Sequence, residues 1–139
     1  MAIAKTSPKN FLGAMIPNVK ILSSKIDEII DAVNGTASTV TQGTGITTGV
    51  TINATRGVIT TVSLTTAAST VTGPFVVTHS KVLATSVVQA TVEYATGKTG
   101  FPVCLVEAVA AGSFKVRLLN ASTGAALNDV VKIHFDVLN

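Results

Sequence analysis

Two histidines, one cysteine and seven carboxylates are all that this 139-residue chain offers for acid–base, nucleophilic or metal chemistry. A metal centre needs several His, Cys, Asp or Glu side chains converging on one point. His79 and His134 are distant in sequence. His134 falls on the polar side of an alternating run, and both histidines read as surface or loop residues. Cys104 lies within the apolar run 101–109 and reads as a small buried hydrophobe. A Cys–His nucleophile pair is the competing reading. Glu93, Glu107, Asp129 and Asp136 are scattered over predicted outer faces and strand ends, whereas glycoside hydrolysis needs two carboxylates facing each other across a cleft. Gly97-Lys98-Thr99 carries the last three residues of a phosphate-loop pattern, but Val92 stands where its first glycine belongs, and no helix follows. We read it as a hairpin turn. No catalytic residue, metal ligand or cofactor site is expected, and the chain reads as a non-enzyme.

Asn34-Gly-Thr, Asn53-Ala-Thr and Asn120-Ala-Ser fit the glycosylation triplet, which arises readily by chance in a threonine-rich chain. The start, Met1 to Pro8, has no continuous apolar core and is not read as a secretory signal. A single cysteine excludes an intramolecular disulfide framework.

Composition narrows the class. Hydrophobic residues make up 47% and charged ones 12%, a small charged share with which to cover a soluble monomer. No run of about 18 apolar residues exists, so no membrane-spanning helix is expected. The apolar excess is Val, Ala, Ile and Leu interleaved with Thr and Ser, which suits a sheet-rich subunit buried against other chains. Net charge is +3. Four lysines precede the first acid, Asp27, so residues 1–26 carry +4, and the six bases and seven acids that follow leave −1. The basicity belongs to the N-terminal segment.

These elements set the positions. Residues 1–23 form an arm, in which Pro8 and Pro17 oppose a long helix. Lys5, Lys9 and Lys20 alternate with Phe11, Leu12, Met15 and Ile16, a mixture that suits docking on a partner. Residues 24–35 form one short amphipathic helix. Ile26, Ile29, Ile30 and Val33 give it an apolar packing face, Ser24 an amino-terminal cap and Gly35 a stop. That face packs on its own sheet, pairs with copies of itself, or lies on another protein.

Residues 36–139 form the body, an antiparallel β-sandwich or jelly-roll-like domain of seven or eight strands. A short strand is predicted near Thr39–Gln42, longer ones at 46–55 and 58–66 with Arg56-Gly57 as a tight turn, and others at 74–79 and 85–94. Residues 101–109 are apolar on both faces, which predicts a central strand or one packed against a neighbour. The clearest strands come last. Phe114, Val116 and Leu118 oppose Lys115 and Arg117, while Val131, Ile133, Phe135 and Val137 oppose Lys132, His134 and Asp136.

One set of segments resembles a known group: residues 57–68 (GVITTVSLTTAA), 84–90 (ATSVVQA), 111–116 (AGSFKV), Asn120 with 125–128 (AALN), and 132–137 (KIHFDV). Over residues 45–139 the chain is similar to β-domains of tailed-bacteriophage virion proteins, namely capsid decoration (cement) proteins and fibre-head modules. The resemblance implies a structural protein on the capsid surface of a virion. It would be a homotrimer that binds the major capsid protein and stabilises the shell. The arm residues Lys5, Lys9, Phe11, Leu12, Met15, Ile16 and Lys20 would supply capsid contacts. Membrane and nucleic acid are not expected partners. The alternative is a tail-fibre or spike tip that binds host carbohydrate. The chain has no long shaft, which favours the compact capsid-bound form.

Overall fold

Phe114, Val116 and Leu118 are fully buried on one strand, and Ile133, Phe135 and Val137 face them from another. A computed structural model describes residues 37–139 together with Ser23, Lys25, Ile26, Ile29 and Ile30. The chain divides into two units, Met1–Thr36 and Ala37–Asn139. In the first, the five described residues are helical; Ile30 is buried, whereas Ile26 and Ile29 are 45% and 62% exposed. Lys5, Lys9, Phe11, Leu12, Met15, Ile16, Lys20 and Val33 lie outside the described residues.

The second unit is a two-sheet β-sandwich of eight strands: β1 (Ser38–Thr41), β2 (Val50–Thr51), β3 (Arg56–Thr60), β4 (Phe75–Thr78), β5 (Val87–Glu93), β6 (Pro102–Ala110), β7 (Ser113–Asn120) and β8 (Lys132–Leu138). Sheet A runs β1-β3-β8-β5 and sheet B runs β2-β4-β7-β6. Period-2 alternation puts every second side chain between the sheets, as the sequence predicts for β7 and β8. Val50, Ile52, Ile59, Leu64, Phe75, Val77, Val82, Leu127 and Val131 complete the core. Rings of Phe114 and Phe135 meet across the two layers at 5.6 Å.

Pairing is mostly antiparallel, but β1–β3 and β2–β4 are parallel. The cause is the path of the chain. Each of the first four strands crosses to the opposite sheet, so direction reverses at every step, and strands two apart in sequence run the same way.

Three local expectations change. Arg56-Gly57 is not a turn; it opens β3 and pairs with Asp136 and Phe135 of β8. The glycine serves packing, since a Cβ at Gly57 would lie 2.7 Å from Phe135 Cε1 and 2.8 Å from Ile52 Cδ1. The long strands expected at 46–55 and 58–66 reduce to β2 and β3. Beyond β3 the backbone still finds partners, with Thr61 N donating to Val131 O at 2.9 Å and Leu64 N to Asp129 O at 3.2 Å. Finally, of the two settings expected for residues 101–109 the central one is excluded, because β6 is the edge of sheet B. Ala108, at φ +50°, marks a bulge where its register with β7 shifts. The bulge lets Val109 reach the core alongside Cys104 and Val106 despite the change in parity.

Candidate functional site

The residues able to do chemistry are held apart by the sheets. His79 lies in the loop just after β4, one of the two places expected for it, but it is fully buried rather than on the surface. Its ring stands 6.0 Å from that of Phe135 and 6.4 Å from that of Phe114. Nδ1 accepts from Lys81 N at 3.2 Å, which leaves the proton on Nε2 to donate to Ala54 O at 2.7 Å. Both nitrogens are used, and the ring ties two loops to the core. Cys104 is half-buried and points inward from β6, and burial pushes its thiol up to about 11. The shift keeps the thiol protonated at neutral pH, and the hydrogen bonds of both histidines go to groups other than Cys104.

His134 lies outward on β8 as expected. Its Nε2 meets Glu93 Oε2 at 2.9 Å, while Lys132 Nζ reaches Glu93 Oε1 at 2.8 Å. The Lys132 hydrogen bond, followed by that of His134, holds the Glu93 carboxyl below its ordinary range. This is a solvated cluster around one carboxylate. Among the described residues no three His, Cys, Asp or Glu side chains gather as a metal site would require.

The Gly97-Lys98-Thr99 turn joins β5 of sheet A to β6 of sheet B rather than closing a hairpin. Lys98 pairs with Asp129 at 2.8 Å, and Thr99 N donates to Asn128 Oδ1 at 3.0 Å. The Tyr94 hydroxyl lies 2.8 Å from Thr99 O and accepts from Asn128 N at 3.1 Å. Lysine and threonine are both committed to holding the turn. Asn120 is fully buried. Its Nδ2 donates to Thr66 O, Ala67 O and Ala125 O, and its Oδ1 accepts from Phe101 N and Ser122 N. Asn120 is a structural post and not a glycan acceptor.

What the fold does present is two unlike faces. The outer face of sheet A is polar over three rows, Thr60–Lys132–Glu93, Val58–His134–Thr91 and Arg56–Asp136–Gln89, the last closed by a 2.6 Å Arg56–Asp136 ion pair, and it ends in an apolar row, Val87–Leu138. The outer face of sheet B is largely apolar. Leu119 of β7 lies between Val71 and Val103, Leu105 sits across from Arg117, and Val76 sits across from Lys115. Phe101 continues the band just before β6, at 63% exposure. Double-sided apolarity of residues 101–109 was the signal for this surface. Val71 and Val76 gave none, because their neighbours on the face become clear only from register.

A third feature is an open groove of about 660 Å³ lined by hydroxyls, Thr44, Thr65, Thr66, Thr70 and Thr72 among them, with Val62 and Leu64. No titratable group lines it. No helix among the described residues is long and apolar enough to cross a membrane. The chain matches no family model, no curated protein and no solved structure.

Proposed function

We propose that this chain is a non-enzymatic structural protein of a tailed-phage virion. It is a capsid decoration protein that binds the outer head surface as a homotrimer and stabilises the shell. One observation carries the reading. The sandwich fills its core with its own strands, while in the N-terminal unit Ile26 and Ile29 are exposed, and they follow in sequence a segment rich in lysine and apolar residues. Exposed apolar side chains next in sequence to such a segment suit a partner. Phe11, Leu12, Met15 and Ile16 would enter grooves between capsid subunits. Each would contribute roughly 1.5–3 kcal/mol before ordering costs. Lys5, Lys9 and Lys20 would orient docking on acidic patches of the major capsid protein. Three arms on one trimer would bind with avidity.

Sedimentation with undecorated phage heads tests this. The full chain should co-sediment at saturating occupancy, and a chain lacking residues 1–22 should remain in the supernatant. Full occupancy without the arm would remove the arm mechanism.

The threonine-lined groove favours a second reading, a tail-fibre or spike tip binding host carbohydrate. Its hydroxyls could bond sugars, but the chain has no tryptophan, and its one tyrosine is committed to the 96–100 turn. Glycan-array binding by the purified chain, without head binding, would select it.

A further inference from the structure

We propose that the outer face of sheet B is the surface through which copies of this chain associate with one another. The inference takes only its setting, a homo-oligomer, from the decoration reading; its place comes from the face itself. Sheet A turns three charge-bearing rows outward, as a solvated face does, and confines its exposed apolar side chains to one end row, Val87–Leu138. Sheet B turns out Val71, Val76, Phe101, Leu105 and Leu119, of which Phe101, Val71 and Leu105 are 63%, 48% and 42% exposed. At the strand rise and spacing of a β-sheet the four strands cover about 400 Å² in projection, charged and hydroxyl side chains included, so this face forms the centre of a contact rather than the whole of it.

The polar groups on this face fit a second copy. Glu107 stands on the rim strand β6, and Lys115 and Arg117 stand one strand inward on β7. Among the described residues Lys115 has no ion-pair partner. Arg117 spends Nη2 on Glu107 at 3.1 Å, but its Nε is buried without an acceptor. Acid at the rim and bases behind it are complementary when the rim of one copy lies over β7 of the next. Glu107 then approaches the neighbour's Lys115, while Leu105 and Phe101 meet the neighbour's Leu119 and Val76. Such head-to-tail contact closes a ring when repeated about an axis. Two bases and one acid are too few for recognition of nucleic acid. The bulge at Ala108 interrupts the exposed edge of β6, so contact is made by the face and not by added strands.

Light scattering on the full chain, on Leu105→Glu and on Phe101→Ser tests the proposal. Thr91→Glu on the opposite face serves as control, and circular dichroism monitors folding. The full chain should have a molar mass that is a whole multiple of 14.1 kDa. Leu105→Glu and Phe101→Ser should fall to the single-chain mass with unchanged dichroism, and Thr91→Glu should keep the multiple. Should Leu105→Glu fail to fold, Phe101→Ser decides alone. A monomeric full chain, or folded variants that keep the multiple, overturns the proposal. Head binding separates the two ideas. Variants that keep their mass but lose heads assign the face to the capsid and leave decoration standing. Masses that fall as expected in a protein that ignores heads support this interface and remove decoration.

Discussion

At the residue scale, the polar side chains that look chemical are mostly structural, and Asn120 shows why. It was legible only as part of a motif, because nothing in Asn120-Ala-Ser distinguishes a buried amide from a surface one. Register decides: Asn120 ends β7 on the inward parity of Leu118 and Val116, where its amide must serve loop backbone that has no ladder of its own. Removing a buried hub leaves several backbone groups unsatisfied. Asn120→Ala should therefore destabilise the protein by about 3 kcal/mol, read as a lower urea midpoint at unchanged m-value. The burial of His79 was missed for the same reason, since it continues the inward parity of Phe75 and Val77 just past β4, and that parity became known only with the pairing to β7. Glu93 is different, being exposed and bonded to Lys132 and His134. Its folded pKa lies below the unfolded value. The stabilisation is thus complete above the unfolded carboxylate range and lost as pH falls through the folded value. At low salt, Glu93→Gln should melt below the parent at neutral pH. The gap should close under acid and shrink in high salt. A gap that widens in acid would contradict the assignment.

At the element scale, β7 and β8 were readable because apolar and charged residues alternate through the middle of each strand, so period and register agree. Strands β2 and β3 were not, because threonine fits either face and the run of Thr, Val and Ile has no sharp end. Arg56-Gly57 was the sharpest error: glycine signals a turn by default, yet here it clears space under Phe135. Gly57→Ala tests that explanation. The added methyl meets a ring held between two sheets and the tip of Ile52, neither with room to retreat. It should cost about 1–3 kcal/mol by overpacking, seen as a lower melting temperature. Trimming the obstacle with Ile52→Val in the same chain should return part of the loss. If Gly57 served as a turn, Ile52→Val would only add a further loss.

At the scale of the whole molecule, charge and apolar surface are sorted by region. Residues 1–26 carry +4 and the rest −1, while the sandwich sets a sheet with three charge-bearing rows against one with a broader apolar band. The first asymmetry could be read from composition. The second needed strand order, and the parallel β1–β3 and β2–β4 pairs follow from crossings between sheets that no local pattern records. If the arm docks on capsid subunits, its two residue types should act on different rates. Lysines attract at a distance, so replacing Lys5, Lys9 and Lys20 with glutamine should slow association with heads and flatten its salt dependence. Apolar side chains act only on contact, so replacing Phe11, Leu12, Met15 and Ile16 with serine should hasten release and leave the association rate within about tenfold. Surface plasmon resonance on immobilised heads resolves the two. A lysine variant altered only in release, or an apolar variant altered only in association, would contradict this division of labour within the arm.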